Sequence, residues 1–269
     1  MFENMPQALT WVVLGCSFTW LMTTAGSAVV FFFRSERKLM HHIFLGFAAG
    51  VMVAASVWSL LNPAIEQAEE MGFHGWVPAA SGFLLGVGFL MALDTLLPHL
   101  HAGAKDPEGI RSTWKRTTLL VSAVTLHNIP EGMSVGLLFA MAAQATGAAG
   151  EAYLGMAVAL ALGIGLQNFP EGAAVSLPLA REGMSRRRAF AAGSLSGIVE
   201  PIFGVLVVLM SGWIAPVMPW LLSFAAGAMI YVVVEELIPE AHLGEHSNVG
   251  TLGFIVGFVV MMVLDVALG

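Results

Sequence analysis

Eight apolar stretches divide the chain, at about 8–33, 43–61, 76–97, 118–142, 152–177, 189–211, 217–239 and 250–268. Each has the length of a membrane-crossing helix, which needs about 20 mostly apolar residues. The polar segments between them are short, so 1–269 reads as a single transmembrane domain. Glycines recur four apart within the stretches, as at Gly82/Gly86, Gly193/Gly197 and Gly253/Gly257. Such pairs let helices approach closely in lipid.

Composition agrees with that pattern. Hydrophobic residues make up 57% of the chain and charged residues 11%, with a mean hydropathy of +0.81. A soluble chain carries about 25% charged residues. The single cysteine, Cys16, excludes an internal disulfide and a Cys-rich metal site. A net charge of -7 does not suit a nucleic-acid partner. The first apolar run has no Lys or Arg before it, so it does not resemble a cleaved signal peptide and is expected to be retained.

All 11 Lys and Arg fall in three places. Arg34, Arg37 and Lys38 follow the first stretch; Lys105, Arg111, Lys115 and Arg116 the third; Arg181, Arg186, Arg187 and Arg188 the fifth. Basic loops stay cytoplasmic. Eight crossings with both termini outside put every basic loop inside, and the cell (inner) membrane is the expected location. A homodimer is compatible with this arrangement.

Acids interrupt the apolar runs. Glu131, Glu171, Glu200, Glu235 and Glu236 lie within them, with Asp94 and Asp265 nearer their ends. No Lys or Arg lies at comparable depth. A carboxylate near a helix centre costs about 2.5–3.5 kcal/mol on the insertion scale. Acids without basic partners must be protonated, hydrated or neutralised by a cation.

Two of these acids sit in near-copies of one motif. "TLHNIPEGMSVG" spans Thr125–Gly136, and "GLQNFPEGAAVS" spans Gly165–Ser176. His127 and Glu131 are four apart and share a helix face. Pro130 and Pro170 lack an amide hydrogen and loosen the carbonyls of Leu126 and Leu166. In a membrane such breaks are tolerated where the freed groups line a polar cavity. The two stretches run in opposite directions, as in the inverted repeats of many secondary transporters. "FAAGVM" (Phe47–Met52) and "FAAGAM" (Phe224–Met229) form a second inverted echo. The expected fold is therefore an all-α integral membrane protein of eight transmembrane helices with an inverted-repeat (3+2+3) architecture.

One imidazole, several amides and at least three carboxylates, with no thiolate, suit Zn²⁺, Fe²⁺, Mn²⁺ or Cd²⁺. Mg²⁺ and Ca²⁺ prefer all-oxygen sets. The acids exceed what one ion needs, and two ions bridged by Glu131 and Glu171 would use them. A transporter of divalent cations is the expectation. An intramembrane metal-dependent hydrolase, with Glu200 or Glu236 as general base, and a passive metal channel are the alternatives.

The paired H-N-x-P-E-G and Q-N-x-P-E-G motifs, the eight stretches and "GIVEPIFG" around Glu200 resemble the ZIP (Zrt-/Irt-like) family of divalent metal transporters, in particular its bacterial GufA-like branch. The resemblance implies a binuclear centre and inward, elevator-like transport of Zn²⁺, not an enzyme. It assigns one ion to His127, Glu131, Gln167 and Glu171, with Met52 at the position of a possible thioether ligand. It assigns a second ion to Asn128, Asn168 and Glu200, with Glu131 and Glu171 bridging. Stretches one, four, five and six would move against two, three, seven and eight. The chain departs from the family at Asn168, often an Asp there, so the second site is expected to be weaker or structural.

Other polar residues are candidates for the path. Glu66, Glu69, Glu70 and His74 would lie at the outer mouth. His41, His42, His99, His101, Glu240, His242, Glu245 and His246 would lie near the inner mouth, with Asp94, Glu235 and Glu236 lining the inner half. Asp265 stands alone and receives no role.

Overall fold

The computed structural model describes residues 4–33, 38–97, 116–241 and 248–269. His99, His101 and His242 lie outside the described residues, as do Glu245 and His246. The described chain is helical, with no strand among the described residues. The helices are α1 (Met5–Ser27), α2 (Lys38–Ala55), α3 (Asn62–Glu70), α4 (Trp76–Leu96), α5 (Arg116–Gln144), α6 (Ala148–Arg181), α7 (Arg186–Ser196), α8 (Val199–Ile214), α9 (Met218–Val232), α10 (Ile238–Ala241) and α11 (Val249–Leu268).

Prolines mark many of the joints. Each of α1, α9 and the 3₁₀ turn Ala215–Val217 carries a proline in its first turn, where no amide hydrogen is needed. Two π-helical segments, Ser56–Leu61 and Val233–Leu237, link α2 to α3 and α9 to α10. A proline follows each, Pro63 and Pro239, and neither can bond the carbonyl four residues back. Those carbonyls belong to Ser59 and Glu235, inside the widened turns. The missing hydrogen bond is a physical reason for the backbone to widen there.

Six helical stretches are long and apolar enough to cross a membrane: Met5–Phe31, Leu39–Glu70, Trp76–Leu96, Ala148–Arg181, Arg186–Ala241 and Val249–Leu268. The expectation of eight is thus met in part. A 3₁₀ turn joins α8 to α9 without a loop, so two expected crossings form one continuous helical stretch. α5 falls outside the six, with His127, Asn128, Pro130 and Glu131 at its middle diluting its apolar character.

α5 and α6 form a tight hairpin, closed by Gly147 at φ 61, a backbone that side chains other than glycine's rarely adopt. Their flanks differ. α1 packs on α6 and α8, and α8 packs on α5. Separately, α2 pairs with α11 and α4 with α9. Leu137, Leu138, Leu160, Ile164, Leu222 and Met229 are fully buried between these layers. Leu84, Leu85 and Phe89 of α4, Leu209 and Trp213 of α8, and Leu252 and Val256 of α11 are exposed, an apolar exterior suited to lipid.

The α2–α11 and α4–α9 pairs are built alike. A Cβ on Gly257 would collide with the Phe47 carbonyl, and one on Gly50 with the Phe254 carbonyl. In the other pair Gly86 meets the Phe224 carbonyl and Gly227 the Phe83 carbonyl. The repeated FAAG segments therefore make the same backbone contact twice. Gly86→Ala should lower the thermal midpoint of the detergent-purified protein by several degrees. Gly88→Ala, on the same helix with nothing within 4 Å of its Cβ, should leave it unchanged or higher.

Candidate metal centre

The hairpin brings the two motifs together at mid-helix. Gln167 donates from Nε2 to Glu131 Oε1 at 2.5 Å. Glu171 stands near both His127 and Asn128. His127 Nε2 is paired with Glu236 Oε1, reaching from the π-helical segment of the neighbouring helix. Glu131 and Gln167 are each 1% exposed, and Asn128, Asn168 and Glu200 0%.

A cavity of about 80 Å³ lies against this junction. α5 contributes His127 and Glu131 to its wall, α6 contributes Gln167, Pro170 and Glu171, and α2 contributes Met52. Glu236, Glu240 and His41 also line it. The cavity thus touches both packed groups, the one containing α5 and α6 and the one containing α2 and α9.

Asn128, Asn168 and Glu200 line no part of that cavity. They form a second polar cluster behind it. Asn168 Nδ2 donates to Glu200 Oε1 at 2.9 Å, Oε2 at 3.0 Å and the Thr19 carbonyl at 3.3 Å. Asn128 Nδ2 donates to the Ser196 carbonyl at 3.2 Å. Glu200 occupies the first turn of α8, where the helix dipole favours a negative charge. Its main chain lies against Gly132, which has no room for a Cβ.

Five buried oxygens around the two clusters have no hydrogen-bond partner: Asn128 Oδ1, Glu131 Oε2, Gln167 Oε1, Asn168 Oδ1 and Glu171 Oε1. All are acceptors, and the three on Glu131, Gln167 and Glu171 belong to residues that line the cavity, where a cation or a donor can meet them. Among the described residues no three His, Cys, Asp or Glu side chains already converge as ligands of one ion.

The remaining candidates divide. Glu240 lines the cavity with His41. Asp94 instead hydrogen-bonds Tyr231, and Glu235 is exposed; neither lines the cavity. Asp265, which the sequence left without a role, is buried and accepts from Ser59 Oγ at 2.6 Å. Thr19 and Thr23 of α1 were not anticipated, yet both stand beside Glu200. Their signal was present: Thr19, Thr23 and Ser27 recur every four residues along an apolar helix, and all three are fully buried.

Comparison with known proteins gives the same grouping. The family model described as ZIP zinc transporter matches residues 101–265. The chain is 39% identical over 335 residues to zinc transporter ZIP11 of Homo sapiens, covering 96% of this chain and 97% of that protein. It is 42% identical over 232 residues to zinc transporter GufA of Myxococcus xanthus, covering 84% and 86%. Zinc transporter ZIPB of Bordetella bronchiseptica is 37% identical over 264 residues, covering 96% and 82%.

The single cysteine makes access to the cavity measurable. Cys16 is fully buried and should not react with a hydrophilic maleimide. Ala174→Cys, at a position that lines the cavity, should be labelled readily. Mass shift after brief exposure to the reagent checks both outcomes.

Proposed function

The chain belongs to the ZIP zinc transporter family, and on that premise we propose that it carries Zn²⁺ inward across the cell (inner) membrane. The ion is held by His127, Glu131, Gln167 and Glu171, with Met52 and Glu236 completing its surroundings from the opposite wall. The observation that carries this reading is the cavity: both motifs meet on it, and His41 and Glu240 line it with them. A nitrogen ligand beside carboxylates favours Zn²⁺, with Cd²⁺, Fe²⁺ and Mn²⁺ as competitors.

The proposed topology has eight crossings with both termini outside. α5 supplies one crossing beyond the six apolar stretches, and Arg186–Ala241 supplies two. At 1.5 Å per residue its 56 residues would reach about 84 Å as one straight helix, far beyond a hydrocarbon core of about 30 Å. Polar and basic ends support one cytoplasmic face. Arg181 and Arg186 flank one short turn, and Arg186 bonds the Phe31 carbonyl just beyond α1. His41 at the start of α2 shares the cavity with Pro178 near the end of α6.

The proposed mechanism is alternating access between inverted repeats of three, two and three helices. Several correspondences support the inversion. Each FAAG segment is followed, nine residues after its phenylalanine, by a π-helical segment. Asp94 follows Gly86 by eight residues and Asp265 follows Gly257 by eight, so the unassigned acid has a counterpart. α1, α5, α6, α7 and α8 would move as one body against α2, α4, α9 and α11. The cation site lies on the seam, where a relative shift changes which side it faces.

Radioactive zinc uptake into proteoliposomes tests this. Wild-type protein should show saturable uptake, and Glu131→Ala/Glu171→Ala should reduce it at least tenfold. Equal uptake by the two would sink the proposal.

A further inference from the structure

We propose that the second cluster, Asn128, Asn168 and Glu200, takes no divalent ion, because the Asn168 amide already stands where that ion would sit. The transport centre of this chain is then mononuclear. This inference rests on the reading of the cavity-lining residues as the transported ion's site.

The geometry around Asn168 carries the argument. Its Nδ2 is surrounded by three oxygens, both carboxylate oxygens of Glu200 at 2.9 and 3.0 Å and the Thr19 carbonyl at 3.3 Å. An amide oxygen in that place would face three other oxygens, so the neighbours fix the nitrogen there. A hydrogen-bond donor between two arms of one carboxylate and a main-chain carbonyl occupies the position a shared cation would take. Charge-assisted hydrogen bonds of this kind are among the stronger ones, and a buried carboxylate satisfied in this way has less need of an ion.

Room and charge agree. All three residues are 0% exposed and none lines the cavity that the first motif set shares. Thr19 and Thr23 add hydroxyls beside it. The cluster holds one formal negative charge from Glu200, with two neutral amides. A divalent ion would have to displace the Asn168 donor and would be left under-compensated by the cluster's own residues.

The Asn168→Asp substitution would reverse both features. It removes the amide hydrogens and adds a second negative charge in the same place.

Counting ions in the detergent-purified full chain tests the proposal, with Cd²⁺ as probe and elemental analysis after gel filtration. The quantity read is the number of ions lost between a protein and its Glu131→Ala/Glu171→Ala counterpart. Wild type should lose one ion per chain, and Asn168→Asp should lose two. Glu200→Gln, whose side-chain carbonyl still accepts from Asn168, should lose one, and a single symmetric gel-filtration peak for Asn168→Asp shows that this variant is folded. A loss of two ions in wild type, or of one in a folded Asn168→Asp protein, would overturn the mononuclear centre while leaving zinc transport intact. No loss in wild type would remove the cavity site itself, and the transport reading with it.

Discussion

Carboxylates placed in hydrocarbon without a lysine or arginine beside them dominate the design of this molecule. Glu131, Glu171, Glu200 and Glu236 all lie in apolar helical stretches, and the basic residues are confined to the ends of those stretches. Removing such a group from water is unfavourable by several kcal/mol unless donors or a cation meet it. The structure answers in two ways. Glu200 is met from within by Asn168 and by the start of α8, whereas Glu131 and Glu171 keep unsatisfied oxygens beside a cavity. The first acid is closed; the second pair is left available for a cation.

That division depends on backbone contacts rather than on side-chain packing alone. Gly132 lets α5 press against Glu200, and Gly172 lets α6 press against Thr23 of α1. A buried polar cluster beside the cavity, touching its wall through Asn128 and Glu171, is possible only because these helices approach so closely. Trp20 and Thr24 then tie α1 to Ser194 of α7, at 2.8 and 2.7 Å. In lipid, where apolar association between helices has little driving force, such contacts and hydrogen bonds carry much of the cohesion. The seam between the two packed groups is different in kind, since a cavity interrupts it and acidic groups face each other across it.

Helix irregularity falls where function is proposed. Pro130 and Pro170 sit inside α5 and α6 beside the motif acids, and the π-helical segment Val233–Leu237 places Glu236 against His127. Its counterpart Ser56–Leu61 places Ser59 against Asp265. Widened turns at the same register in both halves each hold a buried polar side chain, Ser59 in one and Glu236 in the other.

Apolar periodicity was enough to establish a helical membrane chain, because hydrocarbon permits few other backbones. The two motifs were legible as a pair, since proline and glutamate are conspicuous in an apolar run. They also located Glu200 by its own isolation. The sequence could not separate Glu236 from Glu235, although one is buried against His127 and the other exposed. One residue of helical phase decides this, and a π-helical turn resets that phase. Nor could it reveal that Thr19 and Thr23 join Glu200, or that Asn168 turns its nitrogen toward that acid. Those outcomes depend on contacts between separate helices, 32 residues apart for Asn168 and Glu200 and far more for Thr19 and Glu200, which only the packed bundle brings together.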